Sequence, residues 1–340
     1  PCMICPVPLF HVTASHHIFL SSASRGAKLV LMYKWDAGQA LKLIQSERPN
    51  SWTGVPTMVQ DLMEHPDFEK YDTSSLKSIG GGGAPTPASQ VKKTAKKFKG
   101  GSPGQGYGLT ETNGGICFNN GEEYIKRPTS CGRPYPIVDV LVVNLVDGED
   151  PKDEVGDVCL TEVSGANQVG ELVIKSPLVM SHYFNKLNKT ANSIVKVKGK
   201  GFGWFRSGDI ARLDEENYIY IMDRAKDIII RGGENISCAE VESAFYLNNS
   251  VMECAAFGIK DSRLGERVGV VVVPKKGHSS VRKSDLIRSV RSKLANFKIP
   301  SEKDLFFSEK ALPRGATGKI LKRAIRDRIN AELSSGRSRL

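Results

Sequence analysis

The sequence has few features that would place it in a membrane or in a disulfide scaffold. No apolar run reaches the roughly 20 residues that a membrane-spanning helix needs, and no secretory signal pattern is present. The seven cysteines form an odd, scattered set, which favours a reducing compartment over a framework of disulfides. With 40% hydrophobic and 25% charged residues in a length of 340, the composition is typical of a soluble globular protein with two domains.

Two further absences concern the start of the sequence. It opens on Pro1 rather than on methionine, so we expect it to be a fragment of a longer protein. The spacing Cys2-x-x-Cys5 suits a metal or redox pair, but no second pair of cysteines accompanies it. We therefore expect no functional role for these two cysteines.

Positive charge is in excess, and it is unevenly distributed. Residues 1–223 carry 24 Lys and Arg against 24 Asp and Glu, whereas residues 224–340 carry 24 against 13 and account for the net charge of +11. A basic module beside a neutral one favours an anionic ligand that is reached from one side. Nucleic acid and a phosphate-rich small molecule both satisfy this pattern.

Hydrophobic periodicity divides the chain into three parts. Helix-like and strand-like segments alternate over residues 1–130, which predicts a mostly parallel α/β sheet. Short apolar segments over residues 131–223 predict a β-rich subdomain, and residues 224–340 are typical of a compact α+β domain. The predicted strands are 29–32, 76–79, 138–146, 170–175, 218–222 and 268–273, and the predicted helices are 37–45, a basic one around 92–97, 239–247, 285–297 with Ser284 as its cap, and one after Lys319.

Gly80–Pro85 follows the predicted strand 76–79 and is expected to form a glycine turn. Four consecutive glycines have no Cβ, so their backbone can approach a flat ligand closely. The segment matches the dinucleotide fingerprint poorly, since that motif needs G-x-G-x-x-G and a later acidic residue. A flexible turn without a ligand explains the glycines as well.

Tyr107–Thr112 brings an aromatic ring, a hydroxyl and a carboxylate close together in sequence. Such a set can stack on a base, donate to a phosphate oxygen and hold Mg²⁺ through Glu111. A buried tyrosine beside an exposed glutamate would explain the same residues if the segment stood alone.

Four later segments combine charged residues with glycine or with a domain junction. The first, Gly203–Asp209, ends in Asp209, which we expect to follow a tight turn. A carboxylate fixed there can accept both hydroxyls of a ribose diol. The junction Asp223–Asp227 and the glycine pair of Arg231–Asn235 suit a hinge. Leu312–Lys319 carries a lysine on a small loop, where a compact cation can follow charge that develops on phosphoryl and carboxylate oxygens. Each segment alone is also typical of a linker or a surface lysine.

Taken in this order, the motifs resemble the adenylate-forming superfamily, which contains acyl-CoA synthetases, firefly luciferases and the adenylation domains of nonribosomal peptide synthetases. The resemblance covers essentially the whole chain. Pro8–His11 and Arg231–Asn235 are most similar to the acyl-CoA synthetase branch, particularly its fatty-acid–CoA ligases. The implied fold is the remainder of a large N-terminal α/β domain with a β-rich subdomain, followed by a small, mobile α+β C-terminal lid domain.

The resemblance implies ATP, Mg²⁺ and coenzyme A as ligands and assigns residues to the parts of the nucleotide. Thr110 would bond the α-phosphate, and Glu111 would ligate Mg²⁺. Asp209 and Arg224 would hold the ribose hydroxyls. Lys319 would bridge the substrate carboxylate and the α-phosphate during adenylation. Adenine would lie between the ring of Tyr107 on one side and, on the other, the backbone of Gly81, Gly82, Gly83 and Ala84.

Other residues would serve the second half-reaction, in which the acyl group passes to coenzyme A. Lys226 falls at the hinge about which the C-terminal domain rotates, and Lys319 would then swing away. Gly232 and Gly233 would line the pantetheine tunnel. His11 would lie near the acyl pocket, and a histidine packed in the core under the sheet is the alternative.

One element of the superfamily is missing from the sequence. Its members have a Ser/Thr/Gly-rich phosphate loop ending in lysine, upstream of the segment that matches Pro8–His11, and nothing here corresponds to it. We expect that the chain is truncated at its N-terminus and that the fragment alone is weak or inactive in adenylation. At the C-terminal end, Ser338-Arg339-Leu340 resembles the peroxisomal targeting signal S-K-L. We therefore expect a peroxisomal protein bound by the import receptor in a eukaryote and a cytoplasmic one otherwise.

The expected activity is that of an AMP-forming acyl-CoA synthetase. A medium- or long-chain fatty acid would be activated with ATP to acyl-AMP and then converted to acyl-CoA. A coumarate-type ligase for aromatic acids is the rival among enzymes, and a catalytically degenerate adenylate-binding protein is the rival among binding proteins. A nucleic-acid-binding protein rests only on Lys92–Lys99 and the basic C-terminal part, and the phosphates of coenzyme A explain that charge without nucleic acid.

Overall fold

The computed structural model describes residues 1–83, 86–145, 150–154, 156–275, 277–278, 280–315 and 319–334. The chain divides into two compact units, Pro1–Ile221 and Met222–Leu340. Two of the sequence predictions fall outside the described residues, namely the adenine contact of Ala84 and the terminal address Ser338-Arg339-Leu340. Both stay predictions.

Strands and helices alternate through the N-terminal half of the first unit, and strands dominate the rest of it. Its helices are α1 (Ser21–Ser24), which continues a π-helix at Thr13–Leu20, α2 (Ala37–Glu47), α3 (Pro56–Glu64), α4 (Ala88–Lys97), α5 (Gly121–Lys126) and α6 (Leu187–Ser193). Its strands are β1 (Cys2–Cys5), β2 (Lys28–Leu31), β3 (Ser51–Gly54), β4 (Ser78–Gly82), β5 (Ser102–Leu109), β6 (Gly114–Asn120), β7 (Arg133–Pro134), β8 (Asp139–Val143), β9 (Cys159–Leu160), β10 (Gly170–Lys175), β11 (Ile194–Val197), β12 (Gly201–Leu213) and β13 (Ile219–Arg224), which continues into the second unit.

The first seven strands form one sheet in the order β2-β1-β3-β4-β5-β6-β7. Neighbours from β2 through β5 are parallel, and β6 and β7 pair antiparallel. Helix α2 begins where the Asp36 carboxylate accepts the Gln39 N–H over 2.7 Å, and it buries Leu41 and Ile44 in the core around Trp52. The mostly parallel α/β sheet that the periodicity predicts is therefore confirmed.

The second sheet has the strand order β8-β10-β12-β11-β9, with β13 beside β12. The predicted strand 170–175 has the bounds of β10, and the predicted strands 138–146 and 218–222 overlap β8 and β13. Apolar side chains such as Leu172, Ile174 and Phe205 point into one core cluster of this sheet. The sheet supplies one of the candidate site's acidic side chains, as described below.

The second unit contains one sheet and three α-helices among its described residues. The strand order is β15-β14-β17-β16, with β18 parallel to β17. No described helix in either unit has the length and hydropathy needed to cross a membrane. The elements are β14 (Ile229–Arg231), β15 (Glu234–Ile236), α7 (Cys238–Tyr246), β16 (Val251–Asp261), β17 (Gly265–Pro274), α8 (Lys283–Val290), β18 (Leu305–Phe307) and α9 (Lys322–Ser334), together with short 3₁₀ turns.

Two predicted boundaries are wrong. The expected glycine turn begins late, because Gly80–Gly82 belong to β4 and only Gly83, at φ +76°, departs from the strand. Helix α8 spans Lys283–Val290 rather than 285–297, so Ser284 lies inside the helix and is not its cap. The apolar periodicity continues past the end of this helix, because Leu294 packs into the same core from a turn. Periodicity therefore overestimates the length of this helix.

The Cys2-x-x-Cys5 spacing falls within strand β1. Side chains three positions apart in a strand point to opposite faces of the sheet, so these thiols do not form a pair. Both cysteines are free, and burial raises the pKa of Cys5 above its ordinary value.

A largely buried ion pair joins α9 to α7 in the second unit. Nζ of Lys322 lies 2.7 Å from Oε1 of Glu242, and the side chains are 23% and 14% exposed. The same carboxylate oxygen accepts the N–H of Ala256 over 2.8 Å. Burial raises the pKa of Glu242, and the charge of Glu242 raises the pKa of Lys322 despite the opposing effect of burial.

We predict that Lys322→Met destabilises the second unit in a pH-dependent way. Without its cation, Glu242 binds its proton more tightly in the folded than in the unfolded state, so stability falls as pH rises above about 4.5. At pH 8 we expect a loss of about 3 kcal/mol in chemical denaturation, and a smaller loss at pH 5. In the control Lys298→Met, the partner Glu240 is 42% exposed, and we expect less than about 1 kcal/mol. An equal loss at both pH values in Lys322→Met would contradict this account.

Candidate active site

A hydrogen bond between Tyr107 and Asp209 brings together two of the sequence motifs. The tyrosine hydroxyl donates to Oδ2 of Asp209 over 2.6 Å, although the residues are 102 positions apart. Tyr107 lies in β5 of the first sheet and Asp209 in β12 of the second, where it is only 4% exposed. Burial and the adjacent carboxylate raise the pKa of Tyr107 well above its ordinary value. The phenol therefore stays protonated and remains a donor.

Asp209 is aimed by an irregularity in β12, not by the tight turn that the sequence predicts. The pairing of β12 with β10 shifts between Arg206 and Ile210, and Gly208 in this stretch has φ +69°. Such bulges turn side chains away from the regular alternation and are common beside functional sites. The Ser207 hydroxyl donates to the Leu172 carbonyl over 2.6 Å and accepts the Asp209 N–H over 3.0 Å, which fixes the bulge.

A salt bridge supports the same bulge from the neighbouring strand. Nη2 and Nε of Arg206 donate to one Glu171 oxygen over 2.6 and 3.0 Å, and Glu171 is 6% exposed. The other Glu171 oxygen accepts the N–H of Gly208 over 3.2 Å. No local sequence pattern reveals this pair, because its two residues lie on adjacent strands 35 positions apart.

The glycine segment lies beside the tyrosine strand. Gly81 pairs with Gln105 and Gly82 with Gly106, so the glycines border the strand that carries Tyr107 at its next position. A Cβ at Gly81 would come within 3.3 Å of the Gln105 side chain, which itself accepts a hydrogen bond from Thr86. The glycine strand thus has backbone without side chains along the strand that carries Tyr107.

Thr110–Thr112 forms a 3₁₀ turn directly after β5. Thr110 is exposed, whereas Thr112 is fully buried and its hydroxyl accepts the Leu109 N–H over 3.0 Å. Oε1 of Glu111 accepts a hydrogen bond from the Tyr183 hydroxyl over 2.7 Å. Burial and this bond raise the pKa of Tyr183 to about 12. Tyr183 was not among the residues that the sequence singled out.

The residues around Glu111 fit a magnesium ion that is bound mainly through a nucleotide. Among the described residues, no group of three or more His, Cys, Asp or Glu side chains could hold a metal ion alone. Mg²⁺ in nucleotide sites usually has one or two protein carboxylates, with phosphates and water completing its shell. A half-buried Glu111, with one oxygen engaged by Tyr183, matches that donor set.

His11 shapes the start of the π-helix. Its Nδ1 accepts the Thr13 N–H over 3.2 Å, and its backbone N–H donates to the Pro8 carbonyl over 3.0 Å. The ring is half-buried, and the π-helix that follows contacts β6. This geometry suits both a structural histidine and one that borders a pocket, so the role near an acyl pocket stays a prediction.

Hydrogen bonds within the second unit hold both ends of the segment Asp223–Asp227. The Asp223 carboxylate accepts two hydrogen bonds, of 3.0 and 3.1 Å, at the N-terminus of α7. The Asp227 carbonyl accepts a third bond, of 2.7 Å, from the thiol of Cys238. Arg224 and Lys226 lie between these anchors with exposed side chains.

The other predicted residues of the second unit lie in two places, a hairpin turn and the segment before α9. Gly232 and Gly233, at φ +61° and +86°, form the two-residue turn of the β14–β15 hairpin, which needs a positive φ at both positions. Lys319 is half-buried three positions before α9, and its carbonyl accepts the Gly315 N–H over 2.9 Å.

Two family models match the chain. The model of the AMP-binding enzyme matches residues 1–184, and that of the AMP-binding enzyme C-terminal domain matches residues 240–319. The chain belongs to the AMP-binding enzyme family. It is 35% identical over 319 residues to the long-chain-fatty-acid–CoA ligase of Bacillus subtilis (strain 168), which covers 94% of the chain and 52% of the ligase. It is also 35% identical over 322 residues to the feruloyl-CoA synthase of Amycolatopsis sp, which covers 95% of the chain and 60% of the synthase.

Solved structures of adenylate-forming enzymes share the fold of this AMP-binding enzyme. The o-succinylbenzoate CoA synthetase from Bacillus subtilis, in complex with its acyl-adenylate intermediate, matches with a TM-score of 0.79 at 28% identity over 96% of the chain and 60% of the synthetase. The same synthetase, in complex with ATP and magnesium ion, matches with a TM-score of 0.77. The predicted superfamily and fold are thus confirmed, and the chain spans about half to three fifths of the length of these relatives.

We predict that Tyr107→Phe destabilises the first unit of this AMP-binding enzyme by about 2 kcal/mol. The substitution removes a donor from a buried carboxylate, and hydrogen bonds to charged groups are worth about 1.5–3 kcal/mol. Chemical denaturation, followed by a probe in the first unit, measures the change. Tyr33→Phe is the control, since this side chain is fully exposed and should give no change. Equal stabilities of Tyr107→Phe and the unsubstituted protein would contradict the assigned strength of the bond.

Proposed function

We propose that this chain is part of an acid–thiol ligase that activates a medium- or long-chain fatty acid with ATP and transfers the acyl group to coenzyme A. The observation that carries the proposal is the hydrogen bond of 2.6 Å between Tyr107 and Asp209. It joins an aromatic ring and a carboxylate, which are the two groups that an adenosine needs for its base and its ribose. The family membership and the fatty-acid–CoA ligase among the relatives support the same activity.

The adenosine would lie along the first unit. Tyr107 would stack on adenine, with the backbone of Gly81–Gly83 along the other side, because glycines allow close approach. Asp209 would accept the ribose hydroxyls, a role that the resemblance also assigns to Arg224. Thr110 would donate to the α-phosphate from its exposed position after β5.

The reaction would proceed in two balanced steps. In the first, an oxygen of the substrate carboxylate attacks the α-phosphorus of ATP, and pyrophosphate leaves. In the second, the thiol sulfur of coenzyme A attacks the acyl carbonyl, AMP leaves, and the thiol proton is lost to solvent. Mg²⁺ held by Glu111 would neutralise phosphate charge, and Lys319 would counter the charge that develops between carboxylate and α-phosphate.

Four residues would serve the transfer to coenzyme A or the acyl pocket. Lys226 would be the hinge of the second unit, and the hydrogen bonds of Asp223 and Asp227 would keep the hinge segment attached to α7. Gly232 and Gly233 would border the pantetheine arm, because their turn presents bare backbone. His11 would border the acyl chain from the start of the π-helix.

We predict that Asp209→Asn weakens AMP binding about tenfold. The amide accepts ribose hydroxyls less well than a carboxylate does, and tenfold corresponds to about 1.4 kcal/mol, the low end for hydrogen bonds to charged groups. Isothermal titration with AMP measures the affinity. The control is Asp214→Asn, since Asp214 accepts bonds from its own turn and from Tyr220, outside the proposed site. If AMP fails to bind the unsubstituted protein, or binds both variants equally, the adenosine site is wrong.

We predict that Lys319→Ala lowers adenylate formation by about 100-fold or more and largely spares thioester formation from supplied acyl-AMP. Loss of a cation aimed at developing charge has an effect of this size. Single-turnover assays of each half-reaction, on the complete gene product that carries this sequence, separate the two steps. The exposed Lys310, changed to alanine, is the control and should affect neither step. An equal loss in both steps would remove the role assigned to Lys319.

An aromatic acid is the second candidate substrate, because the feruloyl-CoA synthase is as similar to the chain as the fatty-acid ligase is. A panel of fatty acids and phenylpropenoic acids distinguishes the two by kcat/KM. Preference for a phenylpropenoic acid over every fatty acid would overturn the fatty-acid proposal. Release of AMP and acyl-CoA with any acid would exclude the degenerate adenylate-binding protein.

A further inference from the structure

We propose that Tyr183 is a positioning residue that orients the Glu111 carboxylate for its metal ion. This inference rests on the proposed function, since it takes Glu111 as the magnesium ligand. Its observation is independent of the motifs: the Tyr183 hydroxyl donates to Oε1 of Glu111 over 2.7 Å, and the residues are 72 positions apart. One carboxylate oxygen is thereby fixed, and the other can face a cation.

The loop that carries Tyr183 is attached to the Glu111 turn at two further points. The Met180 N–H donates to the Glu111 carbonyl over 2.8 Å. The Asn113 side-chain amide donates to the Leu178 carbonyl over 2.9 Å. Backbone and side chain of Glu111 are therefore both held by one segment, so the position of the carboxylate does not depend on its own flexible torsions.

Helix α6 in turn holds the tyrosine. The Tyr183 N–H donates to Oγ1 of Thr190 over 3.0 Å, and that hydroxyl donates to the Lys186 carbonyl over 3.0 Å. Nζ of Lys189 lies 3.6 Å from the centre of the Tyr183 ring. A cation over the ring face favours this ring position and makes the phenol a better donor. The segment 178–190 therefore holds Glu111 in position.

A neutral donor suits a metal ligand better than a charged one would. In the same unit, Arg206 neutralises Glu171, and that carboxylate has a structural role. The Tyr183 phenol orients Glu111 without cancelling its charge, so the full negative charge remains for Mg²⁺. Hydrogen bonds to ligating carboxylates commonly contribute 10–100-fold to metal affinity or activity.

The test is Tyr183→Phe in the complete gene product, with Mn²⁺ as a spectroscopic substitute for Mg²⁺. Phenylalanine keeps the ring and its contact with Lys189, so only the hydroxyl is removed. Electron paramagnetic resonance of free Mn²⁺ in the presence of ATP gives the metal affinity. We expect it to fall about tenfold, while the affinity for AMP without metal stays unchanged. The Mg²⁺ concentration for half-maximal adenylation should rise by a similar factor.

Tyr220→Phe is the matched control. Its hydroxyl also donates to a carboxylate, Asp214, over 3.0 Å, and Arg212 also lies over its ring at 3.8 Å. We expect this variant to leave the Mn²⁺ affinity unchanged. If Tyr183→Phe behaves like the control, the positioning role is wrong.

Glu111→Gln separates this inference from the proposed function. A loss of Mn²⁺ affinity in Glu111→Gln with none in Tyr183→Phe would overturn only the positioning role. Unchanged Mn²⁺ affinity in Glu111→Gln would overturn the metal site on which the inference rests, whatever Tyr183→Phe does. A loss in both, with AMP affinity retained, is the result that we expect.

Discussion

The arrangement of the candidate site depends on how the two sheets of the first unit are held against each other. Tyr107 and Asp209 belong to different sheets, so the ladder of neither sheet alone fixes their separation. A backbone bridge between Gly132 and Ile219 joins the same sheets, and the Ser130 hydroxyl donates to the Ile219 carbonyl over 2.9 Å. Because of these contacts, the fold itself fixes the distance between the tyrosine ring and the carboxylate. Less conformational entropy is then lost when a ligand binds.

Two carboxylates of this unit have partners of different charge. Glu171 pairs with Arg206 and stabilises the bulge that orients Asp209, so its negative charge is neutralised within the protein. Glu111 instead accepts from the neutral Tyr183. An ion pair would hold Glu111 as firmly but would reduce its attraction for a cation, since the partner's positive charge opposes the metal. The neutral donor therefore leaves the negative charge of Glu111 uncancelled, as the proposed metal site needs.

The sequence predicts the parallel sheet and the order of the motifs, because both are local patterns. Alternation of apolar segments gives β2 and α2, whereas the expectation that the glycine backbone lies near Tyr107 comes only from the family resemblance. The bulge at Gly208 could not be predicted, since its conformation depends on pairing with a strand whose Glu171 lies 37 positions earlier. Tyr183 was missed for the same reason: a lone tyrosine in a loop shows no pattern until folding brings it to Glu111.

The charge surplus of the second unit constrains how that unit can meet a phosphorylated ligand. Many of its acidic residues are engaged in ion pairs, among them Glu242 with Lys322 and Glu253 with Arg314. With 24 basic against 13 acidic residues over 224–340, pairing cannot neutralise the surplus, so a positive field persists. At physiological salt this field is screened beyond about 8 Å. It can therefore speed the approach of an anion. In the proposed function, selection of coenzyme A would come from short contacts, such as those proposed for the Gly232–Gly233 turn.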